Sequence, residues 1–236
     1  MYVAGNRSGS GGKQDLFLNK YAPGGRVVWQ RIYDSPGHLT DEAETLCLAP
    51  GPALYAAGQT DTVANGYDTL LVKYDLGGHR KWVRTWDGDT HKNEWVNAVA
   101  ADGHGNPCLV GSSASGGPIG DMARGMKYDG AGRLKWRDTW YNIYTDSYAR
   151  YYGLVVSGSG TVWAGGVTEI APGMYDWLVT RFTAAGKQQW ARVWNANSKG
   201  SALSALCSAG SGGLFVVGSL PVAPGNTDAV AGGVAK

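Results

Sequence analysis

Two sequence markers recur at the same interval of about 54 residues, and this repeat constrains the fold more than any other feature of the chain. A short apolar segment ends in glycine five times, at spacings of 53, 53, 54 and 53 residues: Gly5, Gly58, Gly111, Gly165 and Gly218. A tryptophan recurs at spacings of 53, 54 and 54 residues: Trp29, Trp82, Trp136 and Trp190. Two independent markers with one period indicate tandem copies of a single supersecondary unit.

Each copy is predicted to contain four short strands. In the second copy these are residues 55–58, 68–75, 81–86 and 96–102, and the turn at residues 103–106 starts the next copy. Short β-rich segments separated by Gly, Asn and Asp turns are typical of antiparallel hairpins. No apolar period of about 3.6 residues lasts long enough for a helix. Four-stranded units in tandem predict an all-β propeller, in which each blade covers the apolar face of its neighbour.

The second copy also carries a recognisable sequence pattern. It has Asp68-Thr-Leu-Leu-Val-Lys-Tyr-Asp75, then Gly-x-x-x-Trp ending at Trp82, then Asp-Gly-x-Gly-Asn at residues 102–106. This pattern resembles the bacterial β-propeller repeat family, and the resemblance covers nearly the whole chain. It implies a propeller whose innermost strand is the one at residues 96–102.

The other copies follow the pattern less closely. The copies that contain Asp15 and Asp176 keep its outline, and the third copy has one extra residue between Asp121 and Tyr128. The resemblance implies an extracellular or cell-envelope location. It implies no particular activity, because such repeats mostly occur in bacterial surface or secreted proteins with no assigned chemistry.

The strand pattern places incomplete units at both ends of the chain. Three strands precede three complete four-stranded blades, and three more strands follow them. One interpretation is a five-bladed ring whose first and last blades are incomplete, and the other is a fragment of a larger ring. The five-bladed form is favoured, and residues 1–236 are expected to form a single propeller domain.

Two recurring sets of side chains are predicted to lie in the core. Aromatic residues four apart point to the same face of a strand and should fill the space between blades: Trp29/Tyr33, Trp82/Trp86, Trp136/Trp140 and Trp190/Trp194. Cys47 and Cys207 each lie 11 residues before a repeat glycine, where other copies have Ala100 and Leu154. This apolar position, and the absence of metal-ligand spacing, predict that the three cysteines are buried thiols without a disulfide.

Charge and hydropathy exclude several classes of function. The formal net charge is +2, and the 21 Lys and Arg residues are spread along the chain, so a phosphate-binding surface for nucleic acid is not expected. No segment approaches the roughly 18 consecutive apolar residues of a spanning helix. Residues 1–6 lack the basic start and apolar run of a signal peptide. We therefore expect no nucleic-acid partner, no membrane insertion and no signal peptide in this segment.

The loops of each copy differ in length, and the long ones are predicted to emerge on one face. They follow the second and fourth strands, whereas the other turns are short and rich in glycine; the long ones are residues 59–67, 87–95, 112–120, 141–150, 169–175 and 195–200. Long loops on a rigid scaffold are where binding residues usually collect. The predicted ligand-binding residues are Asp61, Asn65, Asp87, His91, Glu94, Trp95, Tyr144, Asp146, Tyr148, Asn195 and Asn197.

The composition of these loops favours a polar ligand over a metal. Residues 87–94 are rich in carboxylates but lack the spacing of a calcium-binding loop, so a solvated polar loop and no metal site are expected. Residues 141–150 combine tyrosine with short polar side chains, which suits sugars or peptides. The four histidines are taken to share no position between copies. A recurring aspartate at the start of the third strand is predicted to anchor a turn or loop: Asp15, Asp68, Asp121, Asp176 and Asp228.

Enzyme motifs are absent from the sequence, which has no nucleophile elbow, zinc-protease helix, phosphate loop or Cys-x-x-Cys pair. The favoured function is a non-catalytic binding or scaffolding module, without a cofactor, whose long-loop face binds a partner protein or a glycan. Two alternatives stay open. One is a polysaccharide-active enzyme with a carboxylate pair, and the other is a purely structural repeat of a larger surface protein. Candidates for the pair are Asp61, Asp87, Glu94 and Asp146.

Overall fold

A computed structural model of the protein describes residues 1–63, 66–116, 120–141, 148–194, 201–209, 213–223 and 226–234, with side chains through residue 219 except Ser10. Within these ranges the structure consists of antiparallel strands and one short 3₁₀ turn at Ser10–Gly12, which confirms the all-β prediction. In the same ranges, no helix has the length and apolar character needed to cross a bilayer.

The described strands form five sheets, and each sheet is built from strands that are consecutive in the sequence. The first contains β1 (Tyr2–Ser8), β2 (Gln14–Tyr21) and β3 (Val27–Tyr33). The second contains β4 (Asp41–Ala49), β5 (Ala53–Thr62), β6 (Gly66–Asp75) and β7 (Arg80–Trp86). The third contains β8 (Glu94–Ala101), β9 (Pro107–Ser113), β10 (Met122–Tyr128) and β11 (Leu134–Trp140). The fourth contains β12 (Ala149–Val156), β13 (Val162–Ala171), β14 (Met174–Phe182) and β15 (Gln188–Trp194), and the fifth contains β16 (Ala202–Ser208), β17 (Leu214–Ala223) and β18 (Asn226–Val234).

Consecutive sheets pack face to face. Strands β4, β8, β12 and β16 contact one another in turn, and β1 contacts β4. Each junction between sheets holds one cluster of buried apolar side chains. At the junction of the second and third sheets, for example, Tyr55 packs with Val99 and Met126. The first and last sheets expose large apolar side chains within the described part of the chain, where Ile32 is 44% and Phe215 is 53% exposed.

The repeated tryptophans attach each sheet to the next one. The indole N–H groups of Trp29, Trp82 and Trp136 each donate a hydrogen bond to a carbonyl oxygen in the following sheet, at 3.3, 3.2 and 3.1 Å. The acceptors lie in the turn between the third and fourth strands of that sheet, at Leu76, Gly130 and Ala184. Each aromatic pair lies at one junction between sheets, which confirms the prediction that these pairs fill that space.

In the second to fifth sheets, a glycine of the second strand lies opposite a β-bulge in the first strand. Gly111 pairs with Val96 beside a register shift, and a Cβ on Gly111 would overlap the carbonyl oxygen of the residue before Val96. In the fourth sheet the equivalent partner of the bulged strand is Gly166, which pairs with Tyr151. The prediction of Gly165 is therefore wrong by one residue, because pairing with the bulge, not spacing along the chain, determines which residue must be glycine.

The three cysteines are free, but they differ in burial. Cys108 is buried and Cys47 partly buried, and burial raises the pKa of the Cys108 thiol to about 12 and that of Cys47 to about 11. Cys207 is exposed, so the prediction of three buried thiols is wrong there. Cys47 packs against the core between the second and third sheets, whereas no described sheet follows the fifth.

The Asp-Gly-x-Gly-Asn turn before β9 is held by Asp102. Its Oδ1 accepts hydrogen bonds from the backbone N–H groups of His104 and Asn106, both at 2.9 Å, and its Oδ2 lies 2.9 Å from Nζ of the buried Lys127. Burial acts to raise the pKa of Asp102, but the bonds from Lys127 and Asn106 outweigh it and lower the pKa to about 2. This motif is therefore a folding element of the repeat.

The Asp102 carboxylate should make the protein sensitive to acid. Its folded pKa of about 2 lies below the unfolded value of about 3.9. The stabilisation is thus fully present above about pH 4 and is lost as the pH falls through about 2. We expect the difference in free energy of unfolding between wild type and Asp102→Asn, measured by urea titration, to shrink over this interval. A difference that stays constant down to about pH 2 would contradict this role.

Candidate functional site

The long connections of the sheets lie at one end of the strands and are tied together there. A backbone N–H near the end of the second strand bonds to a carbonyl just before the first strand in three sheets: Asp61 to Thr40 at 2.7 Å, Ala114 to Asn93 at 2.9 Å and Glu169 to Tyr148 at 2.7 Å. The two kinds of connection therefore share one face, as the meander predicts. We call it the long-loop face, and define it by residues 61–63, 66–67, 87–94, 114–116, 120–121, 169–175 and 201.

Two of the predicted long loops are in fact strand extensions. Strand β5 continues to Thr62 and pairs with Gly66 of β6, and β13 continues to Ala171 and pairs with Met174 of β14. Residues 59–62, 66–67, 169–171 and 174–175 therefore lie in strands. The prediction is wrong here because backbone pairing continues through polar residues that, in the sequence, resemble a loop.

A pocket of ≈ 340 Å³ opens on the long-loop face between the fourth and fifth sheets. Its lining combines three tyrosines with small residues: Tyr148, Tyr152, Val167, Tyr175, Ser201 and Ala202. Tyr148 and Tyr175 meet edge to face, with ring centroids 5.5 Å apart. Ser201 donates hydrogen bonds from its N–H at 2.8 Å and its Oγ at 3.1 Å to the carbonyl of Tyr175, which joins the two sheets at the pocket wall.

The Tyr148 hydroxyl is a neutral polar group at the pocket. Burial raises the pKa of Tyr148, and a hydrogen bond with the Tyr152 side chain raises it further. Burial also raises the pKa of Tyr175, and Glu169 adds to this shift. These hydroxyls therefore stay protonated at physiological pH and can donate as well as accept hydrogen bonds.

Arg150 connects the rim of this pocket to the third sheet. Its guanidinium carbon lies 5.1 Å from the ring centroid of Trp95 and 5.3 Å from that of Tyr148. Its Nη2 is 2.5 Å from Oδ2 of Asp121. The repeat aspartate Asp121 is therefore held by an ion pair to a residue of β12. The pocket thus has flat apolar surfaces, fixed hydroxyls and a positioned cation close to one another.

A second group of side chains on the long-loop face brings three carboxylates together. Asp68 in β6, Asp87 after β7 and Glu94 at the start of β8 each place a carboxylate oxygen within 4.8 Å of the others. Glu94 is 0% and Asp68 is 7% exposed, so the prediction of a solvated polar loop is wrong for Glu94. Burial, with the neighbouring carboxylates adding to it, raises the pKa of Glu94 to about 7 and that of Asp68 to about 6.

The same acidic pattern occurs one copy earlier, where it is satisfied by hydrogen bonds. Asp15, Asp34 and Asp41 lie 53 residues before Asp68, Asp87 and Glu94. The buried Asp41 accepts hydrogen bonds from the Ser35 backbone N–H and from Thr60 Oγ1, both at 2.6 Å. Asp41 therefore has a structural role at the start of β4.

The partners of Glu94 differ from those of Asp41. Glu94 pairs with Ser113 in the sheet as Asp41 pairs with Thr60, but the Ser113 hydroxyl accepts a hydrogen bond from Arg124 at 3.0 Å. Among the described residues, neither Oε of Glu94 has a hydrogen-bond partner with normal geometry. The backbone N–H of Gly88 is near enough to lower the pKa of Glu94, and burial outweighs it.

His91 belongs to a turn that occurs twice in the chain. Its Nδ1 lies 2.6 Å from Oδ2 of Asp87, and Nδ1 of His38 lies 2.7 Å from Oδ2 of Asp34. The two histidines are 53 residues apart and both have positive φ, 51° and 49°. The prediction that the histidines share no position between copies is therefore wrong. His91 is explained by the conformation of this loop.

Among the described residues that were predicted for the site, Asp61 joins neither group. Asp61 lies in β5, and its Oδ2 is 3.7 Å from Nζ of Lys13. Five predicted residues lie outside the described part of the chain: Asn65, Tyr144, Asp146, Asn195 and Asn197. The predicted ligand-binding residues leave out several side chains of the two groups, among them Asp68, Arg150, Tyr152 and Tyr175. Asp68 was set aside because it recurs in every copy, and Tyr152 and Tyr175 lie in strands.

No protein-family model matches this chain, and no curated protein matches it. Among solved structures, the chain is similar to the crystal structure of a protein of unknown function from Bacteroides caccae, with a TM-score of 0.52 and 8% sequence identity. The alignment covers 96% of this chain and 72% of that one. At this identity the similarity concerns the fold alone, and it agrees with an all-β architecture of small sheets.

Proposed function

We propose that this protein is a non-catalytic β-propeller binding module, with its five sheets as blades and a carbohydrate ligand in the pocket between the fourth and fifth. The observation that carries the proposal is the pocket of ≈ 340 Å³ on the long-loop face, lined by three tyrosines. The propeller is supported by the face-to-face packing of consecutive sheets through their first strands. An extracellular or cell-envelope location is part of the proposal and rests on the resemblance of the repeats to those of bacterial surface and secreted proteins.

The lining of the pocket suits a sugar. Tyrosine rings offer flat apolar surfaces to the C–H face of a sugar ring, and their hydroxyl groups can bond to its oxygens. The pocket volume of ≈ 340 Å³ is near the lower end of the range of about 300–1,000 Å³ for small-molecule sites. The hydrogen bonds from Ser201 to Tyr175 fix the wall before binding, which reduces the entropy lost when a ligand binds.

A polysaccharide-active enzyme is the second candidate, because Asp68, Asp87 and Glu94 form a carboxylate cluster. A glycosidase needs two carboxyl groups that reach the substrate bond, whereas the Glu94 side chain is fully buried. The described lining of the tyrosine pocket contains no carboxylate. These observations favour binding over hydrolysis.

Removing either of two rings should weaken carbohydrate binding. We expect calorimetric titration with cellotetraose, xylotetraose, mannotetraose and chitotetraose to give a Kd of about 1 mM or lower for at least one of them. Tyr148→Ala and Tyr175→Ala should each weaken that binding by about tenfold, or about 1.4 kcal/mol, because a stacking surface is lost. Their urea unfolding midpoints should stay near that of wild type, since both rings are only partly buried.

Two variants in the short turns of the opposite face are the matched controls. Arg133→Ala and Lys187→Ala lie next to β11 and β15, away from the pocket, and should bind the sugar as wild type does. The proposal is wrong if wild type binds none of the four oligosaccharides, or if the control variants lose as much affinity as the tyrosine variants.

A further inference from the structure

We propose that Asp68, Asp87 and Glu94 form a binding site for a divalent metal ion, and that Ca²⁺ is the ion that fits it best. The three carboxylates come from β6, from the connection after β7 and from the start of β8. A bound ion would therefore join the second and third sheets on the long-loop face. The site is separate from the tyrosine pocket and does not depend on the carbohydrate proposal.

Two of the three side chains are buried without the partners that buried carboxylates need. Glu94 is fully buried and Asp68 more than nine-tenths buried. Within the described part of the chain, both Oε atoms of Glu94 and Oδ1 of Asp68 have no hydrogen-bond partner with normal geometry. Buried charges in proteins are paired with opposite charges or coordinate metals, and these oxygens instead lie beside other carboxylates. A cation among them would give Glu94 and Asp68 a partner, with Asp87 as its third ligand.

The preceding junction shows how the same position is satisfied without a metal. There Asp41 accepts two hydrogen bonds and lies at the start of its strand. At the junction of the second and third sheets, the Ser113 hydroxyl accepts a hydrogen bond from Arg124. The side chain of Glu94, which is longer than that of Asp41, places its carboxylate beside those of Asp68 and Asp87. Two changes from the earlier copy thus leave Glu94 without the two donors that Asp41 has.

Distances and charges fit a hard divalent cation. Ca²⁺ binds oxygen at about 2.3–2.6 Å, so two of its ligands lie at most about 5 Å apart, and the carboxylate oxygens here lie within 4.8 Å of one another. The smaller Mg²⁺, with ligands at about 2.0–2.1 Å, requires a closer approach. The three negative charges of the carboxylates are balanced by the two positive charges of the ion and the one of Arg124, whose charge acts on Glu94. Asp87 keeps its side chain 29% exposed, which provides a path from solvent.

Calcium titration of the metal-stripped protein tests the proposal. After dialysis against EDTA, free Ca²⁺ at about 100 times its Kd should raise the thermal unfolding midpoint by about 5–10 °C. Tb³⁺, used as a luminescent substitute, should be sensitised by Trp86 and Trp95, which are next to Asp87 and Glu94 in the sequence.

Isosteric variants separate metal binding from structural support. Glu94→Gln and Asp68→Asn should each weaken Ca²⁺ binding by at least about tenfold, because fewer charged ligands lower affinity. In EDTA, their midpoints should equal or exceed that of wild type, because repulsion between buried carboxylates is relieved. A merely structural role would give the opposite result in EDTA.

The matched controls are the equivalent acids of other copies. Asp41→Asn corresponds to Glu94 and loses charge-assisted hydrogen bonds, and Asp121→Asn corresponds to Asp68 and loses an ion pair. Both should lower the midpoint in EDTA and leave Ca²⁺ affinity unchanged. The proposal is overturned if about 10 mM Ca²⁺, Mg²⁺ or Mn²⁺ leaves the wild-type midpoint unchanged and Tb³⁺ shows no sensitised luminescence. It is also overturned if both isosteric variants bind Ca²⁺ as wild type does.

Discussion

Replacing Trp136 with alanine should lower the free energy of unfolding by about 3–5 kcal/mol, as for other buried aromatic residues cut to alanine. Trp136 is 9% exposed. It stacks on Phe182 of the next sheet with ring centroids 5.6 Å apart and donates a hydrogen bond to the carbonyl of Ala184. Alanine would leave a cavity between the third and fourth sheets and a carbonyl without its partner.

Urea titration measures this loss, and two further variants divide it into its causes. Trp136→Phe keeps an aromatic ring and removes the indole N–H. Its loss of unfolding free energy should therefore comprise about 1 kcal/mol for the hydrogen bond and the cost of a smaller cavity. Trp82→Ala should cost less than Trp136→Ala, since Trp82 is only partly buried. An unchanged midpoint for Trp136→Ala would mean that the sheets do not pack through this ring.

Replacing Gly111 with alanine should be comparably severe, with a loss of about 3 kcal/mol. A Cβ at Gly111 would overlap the carbonyl oxygen of Trp95. This oxygen is part of the bulged strand β8, which is paired along its length with β9. The backbone can make room only by breaking that pairing, so the clash cannot be relieved by rotating a side chain.

The matched control for this substitution is Gly24→Ala in a short turn. A Cβ on Gly24 meets no heavy atom within 4 Å, and its φ is not positive. We expect a change within about 0.5 kcal/mol in the same urea experiment. Equal midpoints for Gly111→Ala and wild type would show that the register between β8 and β9 is wrong.

Most of the fold could be predicted from the sequence because the residues that recur in each copy have simple physical roles. The tryptophans mark the last strand before each junction, and the glycines mark the bulge at which a side chain has no room. The position of the repeat glycine in the fourth sheet was not predicted. Gly165 and Gly166 both fit the spacing along the chain, and only the strand pairing identifies Gly166. The exposure of Cys207 was not predicted either, because it depends on which sheet covers β16 and not on the sequence of β16.

The candidate sites were harder to predict, because each joins residues from different copies. Loop composition predicted Tyr148, which lines the pocket, but its partner Tyr175 lies in β14 and its neighbour Ser201 precedes the next sheet. In the acidic cluster, Asp87 and Glu94 were selected, whereas Asp68 was excluded because it recurs in every copy. Recurrence is a poor guide here, since the same residue type is paired with a cation in one copy and surrounded by acids in another.

Hydrogen exchange tests the central claim most directly, namely that ligands bind on the long-loop face. It compares the full chain alone with the chain saturated by the oligosaccharide that binds it. We expect slower exchange at residues 148–152, 167–175 and 201–202, with no change in the short turns at residues 22–26, 76–79, 130–133 and 184–187. Protection confined to those short turns would place the ligand on the opposite face and contradict the account.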